Sequence, residues 1–430
     1  MITRRFVFLS GAALVVLLAT AALASPPAYP LKVSPNHRSL VDQKGAPFLL
    51  VGDAGWSVIS GTTFEEADAY LRDRAARGFN TVLVNLIEHK FKGPVNRYGE
   101  PPFLTPGDFS APNEKYFAHA DRVIRKAAEY GIQVLLAPCY LGYKGLDEGW
   151  YDEVMAAGPG KLRQWGLWTA KRYRDFDNIF WVIGGDRDPG QALPHMAAMA
   201  NAVREADPRH LVTAHCAPET PTAACFAGQV QLDVNATYTY KLVHAKLIAD
   251  YNRETVRPFF LIESTYEGEH NSTPPVIRRQ AWWTVLNGGF GHIMGNRPIW
   301  LFDPGWQAAL DAPASRDLAR LGQFMRSLPW FELVPDQRRD FLRAGWGDAA
   351  GLDYAAAAVS DDRRVAVVYM PSARAVSVDL RRLKNHDVTV TWFDPGTGTE
   401  LSAGTFPASG TREFTPPAGG DWVLLFAAND

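Results

Sequence analysis

Cysteine is scarce in this sequence: Cys139, Cys216 and Cys225 are the only three among 430 residues. Three cysteines cannot form the framework of a disulfide-stabilised scaffold, and no spacing of cysteine and histidine resembles that of a zinc site. Cys216 and Cys225 flank a short proline-containing loop, so this pair could bond in an oxidising compartment. We expect neither a metal nor another cofactor.

The chain has no excess of charge of either sign, since its Lys and Arg number 44 and its Asp and Glu number 46. Nucleic acids and anionic membranes are bound by concentrated basic surfaces. The charge balance therefore argues against both of these partners. We expect a monomer.

Long apolar runs are absent after the first 24 residues. Residues 6–23 form such a run, which follows Arg4 and Arg5 and contains the small-residue pattern Ala22-Leu23-Ala24. This arrangement predicts a signal peptide over residues 1–24, with a retained membrane anchor as the alternative. We expect an exported protein, periplasmic or extracellular, with no stable membrane insertion after cleavage.

Strand and helix patterns alternate from about residue 48 to residue 330, which predicts parallel strands joined by crossover helices. Eight strand–helix units over this length are typical of a (β/α)8 TIM barrel, which we assign to residues 25–335. A helix at 162–176 is predicted to precede the fourth strand. The predicted strands are 48–51, 81–87, 132–137, 179–183, 211–215, 232–238, 259–263 and 291–295.

Helical periodicity disappears after about residue 335, and short apolar segments alternate with turn sequences. Strong turn signals lie at 394–398 and 416–420. This spacing predicts a small C-terminal all-β sandwich in residues 336–430. Its predicted strands are 365–370, 376–378, 388–393 and 422–426.

Two predicted barrel strands are followed by an acidic residue: Asp186 comes after the fourth strand and Glu263 closes the seventh. TIM-barrel enzymes carry catalytic groups at the carboxyl ends of their strands. Two carboxyl groups that flank a glycosidic bond are sufficient to hydrolyse it. We therefore predict a catalytic pair, and we expect Gly184 and Gly185 to leave room for a sugar beside the acid. The competing acids nearby are Asp188, Glu267 and Glu269.

Polar and aromatic side chains also follow the other predicted strands. A sugar site needs groups that bind hydroxyls beside an aromatic ring that stacks on the sugar. Each residue alone is more commonly structural, but the repeated position after strands favours binding, whereas no local spacing supports a metal site made from the histidines. The candidate substrate-binding residues are Asp53, Trp56, Asn85, His89, Tyr140, His215, Tyr238, Tyr240, His292 and Asn296.

Several of these segments resemble the apiosidase-like glycoside hydrolases, a family of secreted bacterial (β/α)8 enzymes. The barrel segments that carry the resemblance are 52–56, 78–82, 181–186, 262–266 and 291–296. Residues 392–398, 416–417 and 421–424 resemble the β-domain attached to that barrel, which is labelled a collagen-binding domain. The resemblance covers nearly the whole mature chain.

The resemblance implies that Asp186 is the general acid/base and Glu263 the nucleophile. We predict that the enzyme retains the anomeric configuration, for which the two carboxyl groups would lie about 5–5.5 Å apart. The resemblance also implies release of apiose from pectin side chains of the plant cell wall. This chain has Ala54-Gly55 where the family more often has Thr-Ala, and Cys139-Tyr140 where a Trp is common. Both departures fall at the cleft, so the sugar specificity stays open.

Two alternatives remain at this stage. One is a β-glycanase of another specificity on the same barrel, which would need a long open groove. The other is a non-catalytic polysaccharide- or matrix-binding protein in which the β-domain is the active part.

Overall fold

A computed structural model describes residues 26–429 of the chain, except residues 147 and 385. The signal peptide expected at residues 1–24 lies outside the described residues. Among the described helices, none combines the length and the apolar character needed to cross a bilayer.

Eight parallel strands form a nearly closed barrel, as predicted. The strands are β1 (Leu50–Ala54), β2 (Thr81–Asn85), β3 (Gln133–Ala137), β4 (Ile179–Gly184), β5 (Val212–His215), β6 (Asn235–Tyr238), β7 (Phe259–Glu263) and β8 (Gly291–Met294). Their order in the sheet is β5–β4–β3–β2–β1–β8–β7–β6. The ring closes between β5 and β6 through Thr213 Oγ1, which donates to the Val234 carbonyl at 2.8 Å, and Asp233 N, which donates to the Val212 carbonyl at 2.9 Å.

One helix follows each barrel strand. Thr63 and Glu66 form the capping box of the first helix: Glu66 N donates to Thr63 Oγ1 at 3.3 Å, and Thr63 N donates to the Glu66 carboxylate at 2.8 Å. The helices are α1 (Phe64–Ala76), α2 (Glu114–Glu129), α3 (Tyr151–Tyr173), α4 (Leu193–Ala206), the single turn α5 (Thr222–Cys225), α6 (Val243–Tyr251), α7 (Pro274–Leu286) and α8 (Pro313–Arg326). Additional short turns are Val58–Gly61, Gly190–Ala192, Arg297–Leu301, Trp306–Ala309, Trp330–Glu332 and Leu380–Arg382.

The start predicted for the helix before β4 was wrong. Helix α3 begins at Tyr151 rather than near residue 162, and it bends at Gly158, whose φ is 78°. Gly158-Pro159 reads in sequence as a helix breaker, because proline removes a backbone donor and collides with the preceding turn. The segment before the bend is nevertheless helical, and its Val154 is fully buried.

The amino end of the barrel is covered by an antiparallel sheet of three short strands, Lys32–Val33, Leu40–Val41 and Pro47–Phe48. The Tyr29 hydroxyl donates to the Gly131 carbonyl at 2.8 Å, just before β3. The first predicted strand, 48–51, therefore spans two elements. Its start belongs to this cover, and the barrel strand β1 runs on to Ala54.

Two antiparallel sheets form the C-terminal domain, as predicted. The strands are β9 (Leu333–Pro335), β10 (Leu342–Ala344), β11 (Ala356–Ser360), β12 (Val365–Met370), β13 (Val376–Asp379), β14 (Asp387–Phe393), β15 (Glu400–Pro407), β16 (Thr411–Phe414) and β17 (Trp422–Ala428). The larger sheet has the order β9–β11–β12–β17–β14–β15, and the smaller sheet has the order β10–β13–β16. The larger sheet begins at Leu333, ahead of the domain boundary expected at residue 336.

One face of the larger sheet packs on the barrel helices α7 and α8. Tyr369 stacks on Trp282, with ring centroids 5.7 Å apart, and Phe393 contacts Phe324 at 4.6 Å. Arg278 of α7 donates two hydrogen bonds of 2.7 Å to the carboxylate of Asp421 in the β-domain. The β-domain is therefore docked against the helix that follows β7.

Candidate active site

The end of β4 passes very close to its neighbours. Gly184 has φ 103° and Gly185 φ 148°. A Cβ on Gly184 would lie 2.5 Å from the carbonyl oxygen of His215, and one on Gly185 would lie 2.7 Å from the Tyr140 ring. The expectation that these glycines leave room for a sugar was wrong, because protein atoms fill that space.

Asp186 follows in a left-handed conformation, with φ 55°. Such a conformation is uncommon for residues other than glycine, and it recurs at functional sites when the surroundings enforce it. Here the Asp186 amide donates to His215 Nδ1 at 2.8 Å, and the Tyr143 hydroxyl donates to the Asp186 carbonyl at 2.8 Å. These two contacts hold the backbone of the acid in place.

A β-bulge in β7 sets the direction of Glu263. Leu261 pairs with Thr237 of β6, but Glu263 pairs with Tyr238, so one extra residue lies between the two pairs on β7. Bulges of this kind re-aim side chains beside active sites. The shift brings Glu263 level with Tyr238.

Two tyrosines connect the carboxylates. The Tyr238 hydroxyl donates to Asp186 Oδ1 at 2.5 Å and lies 3.1 Å from the Tyr240 hydroxyl. The Tyr240 hydroxyl in turn donates to Glu263 Oε1 at 3.3 Å. Asp186 and Glu263 therefore belong to one hydrogen-bonded group, with residues of β6 between them.

His215 lies against both catalytic candidates. Its Nδ1 accepts the Asp186 amide proton, so the ring carries its own proton on Nε2. Nε2 is 3.0 Å from Glu263 Oε2, although the angle is not that of a hydrogen bond. The ring also stacks on Tyr238 with centroids 4.9 Å apart. The His215 ring therefore contacts both acids, through Nδ1 on the side of Asp186 and Nε2 on the side of Glu263.

The surroundings of Asp186 disfavour its ionised form. Burial, followed by the negative charge of Glu263, raises the pKa of Asp186 to about 6. Burial and a nearby like charge each disfavour ionisation of a carboxyl group. A carboxyl group with this pKa can hold a proton near neutral pH and give it away.

A pocket of about 140 Å³ opens above the two acids. Five residues of the predicted site line it, and His215 and Tyr238 lie directly behind them. The wall contains both aromatic rings and carboxylates, and Trp56 packs edge-on against Tyr140 with ring centroids 5.5 Å apart. The lining residues are Trp56, Phe91, Tyr140, Glu148, Asp186, Tyr240, Glu263, Tyr266, Glu269 and Trp300.

Three candidate residues lie away from the pocket. Asp53 is fully buried and accepts hydrogen bonds from Tyr70 at 3.0 Å and Arg74 at 3.4 Å, so it anchors α1. His292 is buried, and burial lowers its pKa to about 3. Asn296 donates to Glu267 at 2.8 Å and joins the loops after β7 and β8. None of these three is placed to touch a sugar in the pocket.

Two further candidates come from β2 and the loop after it. Asn85 is buried at the end of β2 and does not line the pocket. His89 stacks on Trp150 at 4.4 Å, and its Nε2 lies 2.8 Å from Glu153 Oε1. His89 therefore holds the start of α3 rather than facing the pocket.

Four residues that line the pocket were not predicted from the sequence, namely Phe91, Glu148, Tyr266 and Trp300. All four lie in loops or short turns after strands, where no periodicity marks a residue that faces inward. Trp300 Nε1 donates to Glu269 Oε1 at 2.8 Å, and Trp56 Nε1 donates to the Tyr266 hydroxyl at 3.2 Å. Buried Trp and Tyr side chains usually have a hydrogen-bond partner for their N–H or O–H group. The number of Trp and Tyr residues in the sequence does not show which of them line the pocket.

The Cys216–Cys225 disulfide, which the sequence left open, is present. It closes the loop that follows His215, and Asp188 holds the same loop by accepting from the Ala217 amide at 3.2 Å and the Thr220 hydroxyl at 2.8 Å. Asp188 is therefore occupied with loop structure rather than with the pocket.

Residues 34–332 match a family model described as "Apiosidase-like, catalytic domain". The chain belongs to the apiosidase-like family. Residues 334–427 match a second model, "Putative collagen-binding domain of a collagenase". The protein is a glycoside hydrolase with a TIM-barrel fold and an attached β-domain. No curated protein sequence matches the chain.

Solved structures agree with this assignment. A protein titled "Glycoside hydrolase" is 25% identical, with a TM-score of 0.82 over 94% of this chain and 97% of its own. A glycoside hydrolase family 5 protein from Bacteroides vulgatus ATCC 8482 is also 25% identical, with a TM-score of 0.82 over 93% of each chain. A third structure from the same organism is 14% identical over 94% of this chain and 82% of its own, with a TM-score of 0.72, and shows the fold alone.

Proposed function

We propose that this apiosidase-like protein removes a terminal sugar from side chains of plant cell-wall polysaccharides such as pectin, with retention of configuration. Asp186 is the general acid/base and Glu263 is the nucleophile. The observation that carries the proposal is the pair of carboxyl groups that line one pocket, at the ends of β4 and β7, and that are joined through Tyr238 and Tyr240.

In the first step, Glu263 attacks the anomeric carbon while Asp186 gives its proton to the glycosidic oxygen, and the aglycone leaves. In the second step, Asp186 takes a proton from water, the water oxygen attacks the anomeric carbon, and Glu263 is released as a carboxylate. The raised pKa of Asp186 suits this exchange, because the group must be protonated first and ionised afterwards.

The size of the pocket supports removal of single sugars. Its volume of about 140 Å³ falls below the roughly 300–1,000 Å³ usual for ligand pockets. Trp56, Tyr140 and Trp300 form aromatic walls on which a sugar ring can stack. An enzyme that cuts inside a long chain would need an open groove instead.

Export is part of the proposal. The N-terminal sequence has the pattern of a signal peptide, and the Cys216–Cys225 disulfide suits an oxidising compartment, because cytosolic proteins seldom keep structural disulfides. The site is then periplasmic or extracellular, where cell-wall fragments are met.

Two kinetic experiments test the roles of the acids. Removal of Asp186 as Asp186→Ala should slow glycosides with poor leaving groups far more than dinitrophenyl glycosides, which need no proton. Glu263→Gly should be inactive in buffer and should form a glycosyl azide of inverted configuration when azide is added. Equal losses on both leaving groups, or no azide product, would refute the assignment of the corresponding residue.

A further inference from the structure

Glu148 is a third carboxylate in the pocket, and the two-step reaction above does not use it. It lies in the loop between β3 and α3, next to Gly149. A Cβ on Gly149 would collide with the backbone of Gly142, and one on Gly142 would collide with the carbonyl oxygen of Glu148. The two ends of the loop therefore touch, and Glu148 is held at this narrow point.

Neighbouring contacts fix the loop against the catalytic centre. The Tyr143 hydroxyl donates to the Asp186 carbonyl at 2.8 Å, and the Gly149 amide donates to the His89 carbonyl at 3.1 Å. Trp150 N donates to the Tyr140 carbonyl at 3.0 Å. These bonds hold the loop backbone around Glu148, whose side chain lines the pocket together with Asp186.

The other pocket carboxylates have partners within the protein. Asp186 accepts from Tyr238, Glu263 accepts from Tyr240, and Glu269 accepts from Trp300. The Glu148 carboxylate takes no hydrogen bond and no ion pair from any residue that the structure describes. Because the described part of the chain gives it no internal partner, the Glu148 carboxylate is free to accept hydrogen bonds from a ligand in the pocket.

The charge of the pocket limits which ligands can bind to Glu148. Four of the lining residues are acidic, and none of the lining residues in the described chain is Lys or Arg. Burial, followed by the charges of Asp186 and Glu263, raises the pKa of Glu148 to about 6. Above that pH the group is an acceptor only, so it suits hydroxyl donors and repels a second carboxylate, such as that of a uronic acid.

We propose that Glu148 is a specificity-determining sugar ligand, whose carboxylate accepts hydrogen bonds from hydroxyl groups of a neutral sugar in the pocket. The inference rests on the proposed function, because it assigns the pocket to the sugar that is removed. It adds that this sugar is uncharged and that recognition of its hydroxyls depends on Glu148. Aromatic faces and one unpaired acceptor are a usual combination for sugar recognition.

Equilibrium binding of free monosaccharides tests the inference without using turnover. Wild type, Glu148→Gln and the control Lys144→Gln are titrated by calorimetry with D-apiose, L-arabinose, D-xylose, L-rhamnose, D-galactose and D-galacturonic acid. Lys144 lies on the same loop but is exposed. We expect wild type and Lys144→Gln to bind at least one neutral sugar, and Glu148→Gln to bind it about 10- to 100-fold more weakly, as when a charged acceptor is lost.

Deoxy analogues of the bound sugar locate the contact. One deoxy sugar should bind wild type and Glu148→Gln equally, because the hydroxyl that Glu148 accepts is already gone. Unchanged affinity in Glu148→Gln, tighter binding of galacturonic acid than of every neutral sugar, or no binding of any neutral sugar by wild type would overturn the inference. Since no bond is cleaved, these results stand apart from the kinetic roles of Asp186 and Glu263.

Once a substrate has been identified, the kinetics of its hydrolysis provide a second test of the role of Glu148. A sugar ligand predicts that Glu148→Gln raises KM. Because the ionised carboxylates of Glu148 and Asp186 repel each other, loss of the Glu148 charge should also move the alkaline limb of the kcat profile slightly to lower pH. An unchanged KM would contradict the role of Glu148 as a ligand, whatever the pH profile. Melting temperatures of the two variants confirm that each is folded.

Discussion

Replacement of Asp186 by Asn should stabilise the protein in a way that depends on pH. Burial and the charge of Glu263 raise the pKa of Asp186 from 3.8 to about 6. Below about pH 4 the carboxyl is protonated in both the folded and the unfolded chain. Between pH 4 and pH 6 the Asp186 carboxyl ionises in the unfolded chain but largely keeps its proton in the folded chain. The free energy of unfolding therefore falls as the pH rises.

The size of the effect follows from the pKa difference. About two pKa units, at roughly 1.4 kcal/mol each, amount to on the order of 3 kcal/mol above pH 6. An unfolding entropy of ~2.1 cal/mol/K per residue over the 430 residues gives roughly 0.9 kcal/mol/K. Asp186→Asn should therefore raise Tm by about 3 °C at pH 8 and leave it nearly unchanged at pH 4.

Scanning calorimetry at the two pH values measures this directly. Asn has the size of Asp and keeps an oxygen that can accept from Tyr238, so the substitution mainly removes the charge. Asp175→Asn is the matched control, because the Asp175 side chain is 80% exposed and should have little effect at either pH. An equal change in Tm at pH 4 and pH 8, or a loss at pH 8, would refute the claim that the folded protein disfavours ionised Asp186.

Two further predictions concern Tyr238 and Arg278. The Tyr238 hydrogen bond favours the ionised form of Asp186, so Tyr238→Phe should move the alkaline limb of the kcat/KM profile upward by about one pH unit. Tyr240→Phe should move it less, and equal shifts would contradict this. Arg278→Ala should lower the free energy of unfolding by about 3–5 kcal/mol in urea titration, because it removes the ion-pair partner of the largely buried Asp421, whereas Asp317 keeps Arg320. Arg163→Ala, which removes an exposed ion pair, should cost under about 1 kcal/mol.

The elements with strong patterns were predicted well. Strand β7 has the bounds read from the sequence, residues 259–263, and β12 likewise runs over 365–370. Both are continuous apolar stretches in buried surroundings, which is the pattern that burial on both faces imposes. Strand β15, at Glu400–Pro407, was missed because most of its residues are exposed or half-buried and no apolar alternation marks it.

Only the part of the candidate site that lies directly at the ends of barrel strands could be predicted from the sequence. Strand ends located Asp186 and Glu263, but they do not tell on which face a residue lies. Asp53 faces α1 rather than the pocket for this reason. The bulge that brings Glu263 level with Tyr238 arises from the pairing of β7 with β6. Strand pairing and its register cannot be read from a single sequence, so the bulge could not be predicted. Glu148 was missed because a loop brings it in from outside the barrel.

Hydrolysis of a panel of plant cell-wall glycans tests whether Asp186 and Glu263 are the catalytic pair. Wild type, Asp186→Ala and Glu263→Ala are compared, and the anomeric form of the first product is recorded by NMR. We expect release of a single neutral sugar with retained configuration, and a loss of activity of at least about 100-fold in each variant. Full activity in both variants would show that these two carboxyl groups do not catalyse the reaction.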